Sequence, residues 1–457
     1  MSPVPENFFL QLLFERLNVS DIRYAVMRNY EQLPSSVGGS DLDILVHPED
    51  EDIVREVIAE AIMKAGGVEI GYMNVVGFTK ISAFGRGDIF EDSWWGVEID
   101  LFFGVYFGGV VQLLSNDILS RRFCLHNEIR VLPDDLAAIL GVVKELLHND
   151  ILPPRYLAVA ADAAKENWNE LCADLAPIGE SAIALLRDLC LSVPDSADIL
   201  TKSRAFRYTV LRTAFIHSPL TFLQFRFLYE WSKVYRFMNS PGMVVAVLGT
   251  DGAGKSTIIT AIEPVLSAAT HGTFIVKHLR PGLLPPLARL KGKQTQQDGP
   301  VTDPHGSSPS GWLGSLLRVL YLTADYVLGY WLVVRPKISK SPTIYLFDRY
   351  TYDMALDPRR FRIALPARII RWFIRLAPNP DLIFCLHGSP EALAARKQEL
   401  PLEEVKRQVV ALKAFAATEP RAILVSTETT VEETRDQILN AIAGHCAKRS
   451  RNTLRCD

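Results

Sequence analysis

"MVVAVLGTDGAGKSTIITAIEPVL", Met243 to Leu266, is the stretch on which the reading of this chain turns. The apolar run Met243 to Leu248 reads as a buried parallel strand, and the residues after Ser256 read as a helix. Between them stands G-x-x-x-x-G-K-[ST], filled by Gly249, Gly254, Lys255 and Ser256. Glycines at this junction let the backbone curl until successive N–H groups and the helix start face one anion. The loop Gly249, Thr250, Asp251, Gly252, Ala253, Gly254, Lys255, Ser256 and Thr257 is therefore a phosphate cradle in expectation. Lys255 would reach the terminal phosphates and Ser256 would ligate magnesium. A Gly-rich turn without a ligand is the bland alternative, but a lysine followed by two hydroxyl residues has no packing role there.

Around that centre the chain has 457 residues, too many for one ordinary core. Its charged fraction of 22% and hydrophobic fraction of 48% are those of a soluble globular protein. The six cysteines form no C-x-x-C pair, which argues for a reducing, cytoplasmic setting and against a zinc module. The start, "MSPVPENFFLQLLFERL", has no basic leader and carries Glu6 and Glu15, so no export signal is expected. The longest apolar run, "LLRVLYLTADYVLGYWLVV" (Leu316 to Val334), is interrupted by Arg318 and Asp325 and reads as a buried helix rather than a membrane span.

The net charge of −3 conceals a division. Residues 1–198 hold 14 Lys and Arg against 32 Asp and Glu, and the remainder holds 35 against 20. A basic half suits anionic ligands, and an acidic half suits divalent metals or its basic neighbour; solvated faces would give the same counts.

The chain segments into four expected parts: residues 1–150, a helical extension and connector over 151–240, a C-terminal domain over 241–445, and a basic tail over 446–457. In the last domain "MVVAVLG", "TFIVKHLR", "TIYLFDRY", "DLIFCLHG" and "AILVST" read as strands alternating with helices, an α/β parallel sheet covered on both faces. The connector "SRAFRYTVLRTAFIHSPLTFLQFRFLYEWSKVYRF" (Ser203 to Phe237) is aromatic and basic together and breaks near Pro219. Two readings stay open for it: a helix packed between domains with solvated arginines, or one lying on a membrane surface or an anionic polymer.

The order P-loop, "KHLRPG", "LTADYVLGYWLVVRPKISKSPTIYLFDRY", "PDLIFCLHGSPEALAARKQEL" resembles the thymidylate kinase family of P-loop kinases from Gly242 to Ile442. The resemblance implies ATP and Mg²⁺ as cofactors, Asp348 in the magnesium shell, Arg349 bridging the donor and acceptor phosphates, Asp251 facing the acceptor, and a homodimer. No sequence-specific nucleic-acid partner is expected. At the end of an apolar run Asp348 also sits where ligands of parallel sheets collect, although an Asp–Arg pair there could be a structural ion pair. Because Ala253 leaves the loop without an arginine, the charge for phosphoryl transfer is expected from Arg396, Lys397 or Arg407.

This chain also departs from the family. Tyr326 replaces the base-reading arginine of the family's "AADRAQ" helix, Leu328 its glutamine, and Leu322 its stacking aromatic. A pocket built for a polar base edge discriminates through those hydrogen bonds, so an acceptor other than dTMP is expected, with dTMP the close alternative. Arg280, Tyr326, Tyr352, Asp353, Arg359 and Arg360 are the candidate acceptor contacts, beside Asp357. The insertion Pro281 to Gly311, rich in Pro, Gly, Ser and Gln, is a lid or a disordered segment, and its composition favours disorder at rest.

In the acidic half "GGSDLDILV" (Gly38 to Val46) sets Asp41 and Asp43 on one face of a strand, and "VEIDLF" sets Asp100 on another apolar run. Three convergent carboxylates suit magnesium. The pattern resembles the nucleotidyltransferase fold of the DNA polymerase beta type, an α+β domain, without that family's separate Gly-Ser turn; two readings stay open, that Arg28 serves in place of that turn or that the domain is degenerate. Two rivals to a kinase remain: an ATP-hydrolysing switch, which would want a water-positioning residue after its acid where Arg349 stands, and a non-catalytic nucleotide-binding module.

Overall fold

The computed structural model describes residues 5–87, 94–192, 196–285, 310–397 and 400–453. Most of the Pro281 to Gly311 insertion, residues 286–309, lies outside them. Contacts divide the chain into two compact units, Met1–Tyr235 and Arg236–Asp457.

In the first unit the strands are β1 (Tyr24–Val26), β2 (Leu42–Val46), β3 (Gly67–Val75), β4 (Phe78–Arg86), β5 (Trp94–Phe103), β6 (Tyr106–Phe107), β7 (Val111–Gln112), β8 (Cys124–His126) and β9 (Ile129–Val131). Seven of them form a mixed sheet in the order β3-β4-β5-β2-β1-β9-β8, with β2 parallel to β5 and β1 parallel to β9. Alternation sorts the side chains. Ile44, Val46, Leu101 and Phe103 join a core with Phe9, Leu10, Val54 and Ile58 of the helices Pro5–Val19 and Glu51–Lys64. Leu45 and Phe102 point the other way, into a helical layer built by Asp134–Asn149, Pro154–Glu166, Glu180–Leu191 and Ser196–His217. Asp43 and Asp100, two residues from Leu45 and Phe102, share that second face.

The connector is two helices, Ser196–His217 and Pro219–Met238. They break where Pro219, which lacks an N–H to donate, starts the second helix at a tolerated position. Ser203 and Arg207 of the first helix donate to the Asp150 carboxylate, at 2.8 and 2.6 Å, and so hold it against the end of Asp134–Asn149.

The second unit contains β10 (Met243–Gly249), β11 (Phe274–His278), β12 (Ile344–Asp348), β13 (Leu382–His387) and β14 (Ala422–Ser426), all parallel in the order β11-β12-β10-β13-β14. These are the five expected strands. Every residue of β10 is buried, as a central strand covered on both faces requires. Since the strands run the same way, Gly249, His278, Asp348 and His387 end along one edge of the sheet. β10 leaves between β12 and β13, where the strand order reverses, the place at which ligands of open parallel sheets collect.

The apolar segment expected to be a buried helix is a helix, Trp312–Gly329, continued by a π-helical turn at Tyr330–Val334, but only one face is buried. Val319, Leu322 and Tyr326 enter the core, whereas Leu313, Leu317, Leu320, Leu328 and Trp331 are exposed. A helix that covers one side of a sheet buries a stripe, not its circumference. With its continuation to Lys340 it is long and apolar enough to cross a membrane by length and composition, yet Asp325 at its centre is fully buried and paired with Arg280 at 3.2 Å. Residues 446–453 continue the final helix, Val431–Thr453, and Arg449 donates to the Gly242 carbonyl at 3.1 Å.

Candidate active site

The helix Lys255–Ala269 begins directly after Gly254, so the N–H groups of Gly254, Lys255, Ser256 and Thr257 have no acceptor within their own helix. Gly252 and Gly254 hold φ of 81° and 77°, in the left-handed region that favours glycine. A Cβ on Gly252 would stand 2.6 Å from the Leu393 carbonyl oxygen, so the loop and the helix Pro390–Arg396 approach as closely as backbone allows.

Lys255 is buried and turns its Nζ onto the carbonyls of Gly249 and Thr250, at 3.0 and 2.9 Å. Burial, reinforced by the Arg349 charge, pushes its ammonium down to about 7. A phosphate in the loop would replace those carbonyls and reverse that shift.

Asp348 closes β12 opposite Val247 of β10. One of its carboxylate oxygens meets His278 Nδ1 at 2.9 Å; the other, Oδ1, is buried without a hydrogen-bond partner. Burial works to raise this carboxyl, but the His278 hydrogen bond and Lys255 hold it below the usual range. An unpartnered buried anionic oxygen at the end of β12 fits a divalent ion. His278 escaped the sequence reading, though a polar residue ending an apolar strand in register with Asp348 was its signal.

Next to Asp348 in sequence begins a buried charge cluster. Arg349 has φ of 77°, unusual for a residue with a side chain and a form of local strain that collects at functional sites. Its guanidinium donates to Asp251 at 2.5 Å and to Asp353 at 3.4 Å, and Arg360 donates to the other Asp251 oxygen at 2.7 Å. Burial works against the Asp251 charge, and Arg349 and Arg360 outweigh it, holding this carboxyl low. Asp353 is pushed up by burial and accepts the Tyr350 N–H at 2.9 Å.

Other expected contacts have partners of their own. Tyr326 is buried; its hydroxyl donates to the Leu279 carbonyl and its ring meets Tyr350 edge-on at 5.0 Å. Tyr352 donates to Asn379 at 2.9 Å, and Arg280 is held by Asp325. Arg359 is exposed beside the partly buried Arg360. Arg396 donates to the Thr427 carbonyl at 3.0 Å, Arg407 to the Leu356 carbonyl at 3.1 Å, and Lys397 lies with its Cβ 3.4 Å from where a Gly252 Cβ would be.

In the first unit, parallel pairing sets Asp43 opposite Asp100, and one oxygen from each of Asp41, Asp43 and Asp100 lies within 4.8 Å of the others. Arg28 pairs with Asp43 and, at 3.5 Å, with Asp41; Lys80 pairs with Glu98 and, at 2.9 Å, with Asp100. Arg28 thus bridges two of the acids. Burial pushes Asp100 up to about 7 against the pull of Lys80. Arg28, Lys80 and, acting on Asp43 from farther off, Lys144 offset part of the charge that Asp41, Asp43, Glu98 and Asp100 bring together. Beside them a cavity of about 140 Å³ is lined by Arg28, Asp43, Phe102, Lys144, His148 and Tyr156, among others.

No protein-family model matches the chain, and no curated protein matches it in sequence. Among solved structures it is similar to the thymidylate kinase of Ehrlichia chaffeensis, at 16% identity and a TM-score of 0.32, over 44% of this chain and 100% of that one. It is also similar to the thymidylate kinase of Candida albicans, at 16% identity and a TM-score of 0.33, over 44% of this chain and 91% of that one. At such scores the residues of the site, not the likeness, carry the functional reading.

Proposed function

We propose that the second unit is an ATP- and magnesium-dependent kinase that transfers the γ-phosphoryl group to an acceptor held at the Asp251, Arg349 and Arg360 cluster. The observation behind it is a buried lysine folded onto its own loop carbonyls one strand away from a carboxylate oxygen with no partner. Ser256 and Asp348 would hold magnesium, which when bound neutralises phosphate charge during transfer. Lys255 and the N–H groups at the helix start would bind the donor phosphates, and Arg349 would carry positive charge to the transferred group.

The acceptor we propose is a sugar, a glycan-linked sugar or a nucleotide whose base is not read as thymine. Tyr326 already spends its hydroxyl on the Leu279 carbonyl, and Leu322 offers no hydrogen bond. A site lacking the matching partners loses discrimination by roughly 10⁴-fold. With ATP and magnesium present, we expect dTMP to be phosphorylated no faster than dCMP, and slower than at least one member of a panel of sugars, sugar phosphates and nucleotides. Efficient dTMP-selective turnover would make the protein a dTMP kinase instead; no transfer to any acceptor, with ATP bound, would favour a non-catalytic module.

For the first unit we propose a divalent-cation site at Asp41, Asp43 and Asp100, as in a nucleotidyltransferase-like domain. Manganese should raise the melting temperature of that unit's transition by mass action. The double substitution Asp41→Asn with Asp43→Asn should abolish the rise and leave phosphoryl transfer intact. Calorimetry on the full chain with and without the ion checks this, and an unchanged rise in the double variant rejects it.

A further inference from the structure

The helix Pro219–Met238 has two apolar faces, and only one is covered. Phe222 and Phe225 pack against the helical core of the first unit, Phe225 meets Tyr106 edge-on at 6.4 Å, and Tyr229 lies against Gly109. On the opposite side Leu220, Leu223, Phe227, Trp231 and Val234 recur at spacings of three and four, which puts them in one stripe. Leu220 is 83% exposed, Phe227 66% and Trp231 57%. Phe227 and Trp231 stack on one another, with centroids 6.2 Å apart, instead of turning inward. Leu220 to Val234 is a bare apolar ridge roughly 20 Å long at 1.5 Å per residue.

Charge says what fits it. Residues 1–198 carry 14 basic against 32 acidic residues, whereas 199–238 carry seven basic residues, Lys202, Arg204, Arg207, Arg212, Arg226, Lys233 and Arg236, against the single acid Glu230. Arg226 and Lys233 run along one edge of the ridge and share Glu230, at 2.7 and 3.1 Å. On the preceding helix Arg204, Tyr208, Arg212 and Phe215 recur at helical spacing on an exposed face, and neither arginine has an ion pair among the described residues. An otherwise acidic body thus presents one basic, aromatic strip, oriented by repulsion everywhere else on the unit. A second copy of this strip would set like charges against each other; an anionic surface would not.

We propose that the helix pair Ser196–His217 and Pro219–Met238 is a docking surface for an anionic lipid bilayer, with the Leu220 to Val234 ridge sunk at the level of the headgroups. The aromatic side chains supply the apolar contact, and Trp231 also offers an indole N–H to the wet side. Arg204, Arg212, Arg226 and Lys233 meet the lipid phosphates, each strengthening the attraction at low salt. The enzyme is thereby held where a membrane-borne acceptor would lie.

The test is co-sedimentation of the full chain with sucrose-loaded vesicles of phosphatidylglycerol and phosphatidylcholine, against vesicles of phosphatidylcholine alone. We expect binding to the anionic vesicles at low salt, weakened at least tenfold by 0.5 M salt or in the neutral vesicles. The triple substitution L223E/F227E/W231E should reduce it at least tenfold while leaving ATP turnover and the circular dichroism spectrum unchanged. Arg204→Gln with Arg212→Gln, which touches no packed residue, should reduce it several-fold and lower its salt dependence. Failure of the wild-type chain to bind anionic vesicles overturns the proposal, as does undiminished binding by the triple variant. Light scattering separates the remaining occupant: a dimer in the wild type that the triple substitution dissociates would assign the ridge to a second copy and reject the bilayer.

Discussion

Lys255→Ala should reduce phosphoryl transfer at least about a thousandfold, with ATP affinity falling as well, because the ammonium acts on charge that grows during transfer. Asp348→Asn should cost about a hundredfold, since it keeps the shape of the strand end but removes the anionic oxygen that lacks a partner. The wild-type protein should show the cause directly. Without ligand, burial and Arg349 push Lys255 down to about 7, well below the ordinary lysine range. A bound nucleotide restores the charge, and binding therefore takes up a proton. The sign follows: affinity is greatest below about pH 7 and weakens as pH rises from there toward the higher value of the complex. Calorimetric titrations with ADP and magnesium at pH 8, in buffers of different ionisation enthalpy, should report that uptake in the wild type and none in Lys255→Ala. Full turnover by Lys255→Ala would end the kinase reading.

Arg349→Ala should be the most damaging change outside the phosphate loop. It strips Asp353 of its arginine and halves the support of Asp251, and both carboxylates are buried. Breaking a buried pair by removing one partner costs about 3–5 kcal/mol, which lowers the melting transition of a unit of this size by on the order of 10 °C. Turnover should fall by at least a hundredfold, since in the proposed kinase Arg349 also brings positive charge to the transferred group. Arg349→Lys separates the two effects. It restores the charge and should recover much of the melting temperature, but it lacks the planar fork that spans Asp251 and Asp353, and turnover should stay low. Thermal denaturation and steady-state rates on the same preparations decide this. An Arg349→Ala protein with an unaltered melting curve would show the cluster to be solvated and inert.

The two units differ in how much of their sites was legible. In the second, the residues of the proposed donor site are almost entirely local: Gly249 to Thr257 are contiguous, and Asp348 ends a strand that its own apolar run announces. The charge cluster proposed for the acceptor is not, because Asp251 meets Arg349 and Arg360 across 98 and 109 residues. Arg280 and Tyr326 read as acceptor contacts by position, yet the fold gives each a partner, Asp325 and the Leu279 carbonyl. In the first unit the alternation of "LDIL" and "EIDL" set the acids on a face, but the Arg28 and Lys80 charges that sit among them come from other strands and loops.

Local sequence determined by itself the five apolar strand runs of the second unit, the G-x-x-x-x-G-K-[ST] turn after β10, the placing of Asp43 and Asp100 on strands of the first unit, and the break of the connector at Pro219. Those features follow from residue types and short spacings that each segment carries within itself. Tertiary structure alone decided which charges neutralise Asp251, Asp43 and Asp100, and which face of Trp312–Gly329 and of Pro219–Met238 is left bare. The reason is physical: a carboxylate's partner and a helix face's cover depend on which distant segments the packing brings within a few ångströms, and no local pattern encodes that.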